Sequence, residues 1–408
     1  MADDTEKSAA GTSDDAPEES HRQPKHASPD PDEAGRLHTE TVTEYGPAKG
    51  YERSRDEPWR SRLKDVLGPR TIGLLVGAIL VQFGFIASYV GAFHHPQPHA
   101  MTVTVVASHG WQGYVSNELN DVPGQPVWAY ASTDEASARK DLKEGKRQAV
   151  YLFNRKGTKD TLLINSAEGS SITAAMETIF HQVATKKHRT LAVKDVVPVQ
   201  KGDERGLTSF YLVVGWLVGG YLMASLLGIR KGPKARNFRR VLWRLFGCLA
   251  YAFLSGLGGA WIVGPLLGAL TGHFWAMAGI GMLLSMCASV FTMGMEALFG
   301  IIGVGVSIVL FVVLGNPSAG GAFGYQLLPT FWRVIGPWIP NGAGVDSVRS
   351  VIYLGGHNIG FHLGVIAWWL AVGLLALLLV SNNTYWGFKR KVMPVDEETE
   401  AAGMDARS

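Results

Sequence analysis

The chain has 408 residues, of which 47% are hydrophobic and 18% charged, with a net charge of +3. That length would ordinarily hold two or three soluble domains. Yet from 207 to 388 only eleven Asp, Glu, Lys or Arg occur in 182 residues, seven of them between Arg230 and Arg244. A soluble domain needs charge over its whole surface, so this half reads as membrane-embedded. The basic residues sit beside apolar runs, which excludes a nucleic-acid footprint. Two cysteines, Cys248 and Cys287, exclude a disulfide framework and a thiolate zinc site.

Residues 1–66 are polar, with eleven acidic against four basic side chains up to Glu40. Such a segment buries too little apolar surface to offset its ordering entropy, and is expected to be a disordered cytoplasmic tail. The run from Thr71 to Phe93 carries no charge in 23 residues. At 1.5 Å per residue it spans a hydrocarbon core of roughly 30 Å. Arg60, Arg62, Lys64 and Arg70 precede it and place its start on the cytoplasmic side.

Residues 94–206 return to a soluble composition, with fourteen basic and twelve acidic residues. MTVTVV at 101–106 and VWAY at 127–130 read as strands. A helix is expected from Asp134 to Lys146, acidic at its start, basic late and stopped at Gly145. QAVYLF and TLLIN read as strands joined by the turn NRKGTKD. Ser171 is placed as the cap of a second helix with Ile172, Met176, Ile179, Phe180 and Val183 on one face. LAVKDVVPV closes a small extracellular α/β domain.

Five more apolar runs are expected as spans near 208–229, 242–264, 275–295, 298–315 and 361–382. The division between the third and fourth of these rests on Glu296, read as a solvated residue at a cytoplasmic turn or a partner of Arg240 or Arg244. The fold class is thus a polytopic α-helical membrane protein of six transmembrane helices. A first helix at 67–93 is followed by the 94–206 domain and a five-helix region at 207–388. Within that region lie a cytoplasmic basic loop at 230–241 and an outer segment at 316–360, with a cytoplasmic tail at 389–408. Intracellular basic residues outnumber those of the short outer loops fourteen to two, counting Arg333 and Arg349 as outer.

Two stretches carry a family likeness. One is ARKDLKEGKRQAVYLFNRKGTKDTLLINSAEGSSITAAMETIF; the other is LLPTFWRVIGPWIPNGAGVDSVRSVIYLGGHNIG. With the layout of one span, an external domain and five spans, residues 67–392 resemble the type-2 ABC exporter permeases, particularly the phage-infection-protein-like branch. The resemblance implies a channel formed by two permease halves, alike or different, powered by a separate cytosolic ATP-binding subunit. No G-x-x-x-x-G-K-[ST] phosphate loop occurs in the chain. It also implies that the basic loop, with Lys234, Arg236, Arg239, Arg240 and Arg244, lies where such permeases couple to their ATPase. The charge itself equally suits anionic lipid head groups or topology alone.

The 316–360 segment is broken by Pro317, Pro329, Pro337 and Pro340 and by several glycines. Irregular backbone at membrane depth survives only against protein or a water-filled cavity, so short re-entrant or interfacial helices are expected. Pro329, Trp332, Arg333, Pro337, Trp338, Pro340, Asp346 and Arg349 are then an exit gate or an inert aromatic collar. His94, His95 and His99 lie in HHPQPH, a stalk rather than a metal site. Gly73/Gly77, Gly215/Gly219, Gly264/Gly268 and Gly360/Gly364 permit close helix crossing. Neither a G-x-S-x-G elbow nor a catalytic carboxylate pair is present, so no enzyme activity, cofactor or metal is expected.

The reading favoured is export of hydrophobic or amphiphilic cargo across the plasma membrane. A membrane-anchored surface or scaffold protein, phage-receptor-like, is the rival. Proton-driven transport ranks last because the spans offer no buried carboxylate.

Overall fold

A computed structural model describes residues 68–231 and 238–391. Expectations on the acidic tail, on Lys234 and Arg236, and on the last residues of the chain lie outside the described residues. Among the described residues five helices are long and apolar enough to cross a membrane: Thr71–Phe93, Thr208–Gly228, Arg239–Leu266, Phe274–Phe299 and Ile359–Val380. They belong to α1 (Pro69–Phe93), α5 (Thr208–Lys231), α6 (Phe238–Trp261, continued by a π turn), α7 (Phe274–Phe299) and α11 (Ile359–Lys391). The chain is a helical, multi-pass membrane protein, and its described residues include a mixed sheet.

That sheet lies between α1 and α5. Its elements are β1 (Met101–Val106), α2 (Trp111–Asn120), β2 (Val127–Ser132), α3 (Glu135–Lys143), β3 (Ala149–Leu152), β4 (Lys159–Ile164), α4 (Ser170–Lys186) and β5 (Thr190–Asp195). The strand order is β2-β1-β3-β4-β5, parallel except for the β3–β4 hairpin. Side chains alternate across it as period-2 geometry requires. Met101, Val103 and Val105 pack with α2 and α4, whereas Val106, Val150 and Leu163 pack with Ala138 and Leu142 of α3. Asp134 caps α3 by accepting from the N–H groups of Ala136 and Ser137 at 2.8 and 3.2 Å. Ser171 does not cap α4. Gly169, at φ 121°, starts that helix without a side-chain cap, and the Ser171 hydroxyl instead accepts from the Gly324 N–H at 3.1 Å.

Among the spans α7 is central, packed by α5, α6 and α11, and every residue from Met293 to Ala297 is buried. Of the glycines the spacing singled out, Gly219 serves close crossing, since a Cβ there would run into the Tyr251 hydroxyl of α6; the tightest backbone approaches fall at other glycines. A Cβ on Gly373 would stand 2.4 Å from the Phe291 Cα, and one on Gly256 2.4 Å from the Ala278 carbonyl oxygen. Gly73, Gly77, Gly215, Gly360 and Gly364 have nothing within 4 Å. Cys248 and Cys287 are buried free thiols in this bundle.

The run expected as a span at 298–315 is a shorter apolar helix, Ile302–Ser318. It opens as α8 (Ile302–Ile308) and passes into π geometry over Val309–Leu314. The break before it falls at Gly300, φ 65°, and not at Glu296, so α7 carries Glu296 inside its last turn. The next stretch is broken as expected: α9 (Thr330–Ile335), a 3-10 turn at Gly336–Trp338, and α10 (Pro340–Tyr353). Pro340 takes the first position of α10, where its missing N–H costs no hydrogen bond. Most of α10 is buried, against α5, α7 and α11.

Candidate functional site

The sheet domain meets the broken segment around a cavity of about 310 Å³ lined by Glu144, Lys146, Glu168, Tyr325, Asp346, Arg349 and His362 among others. Three pieces of chain supply its charged wall. Glu168 comes from the turn that leads into α4, where Asn165 accepts from the Ala167 N–H and shapes a single 3-10 turn. Asp346 and Arg349 stand one turn apart on α10, and so share a face. His362 follows at the start of α11.

Arg349 is only 6% exposed. Its guanidinium donates to the Gly320 carbonyl at 2.9 Å and reaches the Gly206 carbonyl at 3.4 Å. Tyr325 donates its hydroxyl to Asp346 Oδ2 at 2.9 Å, and His362 Nδ1 lies 3.9 Å from the same oxygen. Burial raises the Asp346 carboxyl above its ordinary range, with His362 and Arg349 opposing. Burial likewise pushes Glu168 up to about 7, against the pull of Arg349 and with the help of the Asp346 charge. Two carboxyl groups therefore share the Arg349 guanidinium, and Asp346 has the His362 imidazole beside it as well, in a pocket large enough for water.

Of the residues singled out in the sequence, Asp346 and Arg349 line this cavity together. The others of the outer segment do not line it. Trp332 donates its indole N–H to Ser88 Oγ at 3.1 Å, joining α9 to α1. The Trp338 carbonyl accepts from the Trp369 indole at 2.7 Å, and its ring meets Phe361 edge-on at 5.3 Å. Pro329 and Pro340 start α9 and α10, Pro337 sits in the 3-10 turn between them, and Arg333 reaches Thr330 Oγ1 at 3.4 Å. Glu168, Tyr325 and His362 were not anticipated. Asn341 was also missed. It is 1% exposed and donates to the Phe311 carbonyl at 2.8 Å, inside the π stretch where the regular ladder slips.

The basic residues separate. Arg239 and Arg240 are exposed at the start of α6, but Arg244 is buried at 9% exposure. Arg244 is the charged neighbour of Glu296, whose carboxylate also meets Ser225. Glu296 is 4% exposed, so of the two alternatives expected it is not the solvated turn residue but the partner of Arg244. Its carboxylate fills the space beside Gly228, where a Cβ would stand 2.4 Å from Oε2. The bundle therefore does hold a buried carboxylate, contrary to the sequence reading. His94 and His95 are exposed, and no group of three metal-ligating side chains occurs among the described residues.

Compared with known proteins, the chain matches no family model, no curated protein and no solved structure.

Proposed function

We propose that the chain is the permease subunit of an ABC-type exporter, moving hydrophobic or amphiphilic molecules with power from a separate ATPase. The observation that supports this most is the difference between the two ends of the bundle. α5 begins beside the sheet domain, where Asp203 Oδ1 accepts from the Thr208 N–H and hydroxyl at 2.9 and 2.7 Å. The turn after α6 returns there, since Gln200 Oε1 accepts from the Thr271 N–H at 2.7 Å. That end carries the broken helices and the charged cavity; the opposite end carries exposed Arg239 and Arg240.

Basic residues collect on the cytoplasmic side. In this reading the α/β domain is extracellular, both termini are cytoplasmic and the host bilayer is the plasma membrane. Ile302–Ser318 serves as a sixth crossing; its 17 residues stand at the short limit for a span. The segment at 316–360 is the outer gate, with the Glu168, Asp346 and Arg349 cluster holding it to the external domain. Two permease halves, identical or different, complete the channel, and Arg239 and Arg240 face the ATPase. Spans walled by apolar and aromatic side chains suit hydrophobic cargo better than polar solutes.

The test is affinity purification of the tagged chain from native membranes, with mass spectrometry of what accompanies it. A stoichiometric ATPase, lost when Arg236, Arg239 and Arg240 are changed to Glu, is the expected result. Recovery of the chain alone overturns it, and recovery with envelope proteins only favours the surface-scaffold alternative. A second reading, proton-driven transport, is favoured by buried Glu296 beside Arg244. Transport by reconstituted chain under a pH gradient without ATPase, abolished in Glu296→Gln, would establish that reading instead.

A further inference from the structure

A second cavity, of about 720 Å³, lies in the sheet domain between α2 and α4. Its position follows from topology. β1 pairs with β2 on one side and with β3 on the other, both parallel, so the chain reverses its direction of winding there. Open α/β sheets bind ligands at such a switch point, where helices diverge beyond the strand ends. Trp111 and Phe153, just past the ends of β1 and β3, form its aromatic mouth.

The walls come from apolar stripes that outrun their cover. On α4, Ile172, Met176 and Phe180 are at most 2% exposed, while Ile179 and Val183 of the same stripe are only partly buried and line the groove. Leu119 and Val122 face them from α2 and the loop that follows it. At the mouth Trp111 stacks on Phe153 with centroids 5.9 Å apart, and Tyr114 meets Trp111 edge-on at 5.8 Å while 60% exposed. A large aromatic left in water on an isolated soluble surface is an uncompensated cost, and a row of them around an apolar trench is the composition of a ligand site.

Charge is confined to the rim. Lys186, Lys187 and Arg189 stand beside Glu118 and Asp121 on the lining. Arg189 is fixed by buried Asp160, with contacts of 2.5 and 2.6 Å, and its guanidinium lies 4.5 Å from the Phe153 ring centroid. Lys187 is tied to Glu118. Lys186, in the last turn of α4, brings its charge to the helix end where a cation is favoured. The volume falls within the roughly 300–1,000 Å³ of small-molecule sites.

We infer that the groove between α2 and α4 binds a single-chain amphiphile, its apolar chain against Leu119, Ile179 and Val183 and its acidic head at Lys186. This holds whether the chain transports or only anchors a surface domain. The test uses the full chain in membranes and a palmitate carrying a diazirine along its chain, photolysed and mapped by peptide mass spectrometry. Adducts on peptides covering 111–123 and 179–189, competed by unlabelled palmitate, are expected. Ile179→Trp, which fills the trench, should lower groove labelling roughly tenfold while labelling of the spans is unchanged. Tyr114→Ala removes an exposed mouth residue without touching the core and should lower it several-fold, which covers the case in which the tryptophan variant misfolds. Adducts confined to the spans, or groove adducts undiminished in both variants, overturn the inference.

Discussion

Glu168 offers the sharpest check on the charged cavity. Its carboxyl is partly buried and its proton is held up to about 7 instead of the ordinary 4.5, chiefly by burial. The folded chain therefore keeps a proton through a window, from about 4.5 to about 7, in which the unfolded chain gives it up. Stability must fall as pH rises through that window, because the native state binds the extra proton. A shift of about 2.5 units at 1.36 kcal/mol each sets a ceiling of about 3 kcal/mol. Water entering the cavity screens the charge, so about 1.5–3 kcal/mol is the working range. Glu168→Gln removes the ionisation and keeps the shape. Thermal unfolding of the purified full chain, followed by tryptophan emission, should coincide for the two proteins at pH 4. By pH 8 the variant should melt higher by about 2–4 °C on per-residue entropy scaling for a unit of this size. If the variant is instead less stable at pH 8, the attraction of Arg349 exceeds the burial cost and the assignment of causes is wrong.

Arg349→Met leaves the Gly320 carbonyl without its donor and two carboxyl groups without their cation, at a cost of about 3–5 kcal/mol; protease resistance of the 316–360 segment in membranes measures it. Gly373→Ala, whose Cβ meets backbone of Phe291, should cost more than about 1–3 kcal/mol, while Gly77→Ala, facing open space, stays within about 0.5 kcal/mol; thermal unfolding of both variants compares them. Asp134→Ala strips two N–H groups at the start of α3 of their shared acceptor and should cost about 1 kcal/mol, read by hydrogen exchange at Ala136 and Ser137.

Much of the fold is legible in the residues because its signals are local. The spans at 71–93, 208–228 and 359–380 are uncharged runs, and their limits in the structure fall within two residues of those read from the sequence. β1 and the hairpin of β3 and β4 are read correctly for the same reason, since alternation and the turn NRKGTKD lie within a few residues of each other. α2 escapes notice. Its residues WQGYVSNELN include Gly113 and several weak helix formers, and Gly110 before it provides no side-chain cap. Tertiary cover by the sheet makes that helix, through Val115 and Leu119. The Ile302–Ser318 helix is blurred by its π stretch, which depends on Asn341 arriving from 30 residues away to hold the Phe311 carbonyl.

The charged site is legible only by halves, and the reason is physical. Asp346 and Arg349 are conspicuous because each is a charge in a run of apolar and small residues, where an ionisable group needs a partner nearby. What the sequence cannot supply is the partner, since Glu168 sits among ordinary charges of a soluble-looking domain and nothing local marks it. At the other end the sequence narrows the choice further: Glu296 stands out, Arg240 and Arg244 are the counter-charges expected for it among seven basic residues, and the fold uses Arg244. Charge that is costly to bury announces itself, while the counter-charge that makes burial tolerable is drawn from wherever charge is cheap. In a chain of this composition the search for a site should therefore begin from each isolated apolar-run charge. It should then ask which abundant, unremarkable charge the fold brings to it, and here that search leads to Glu168 and Arg244.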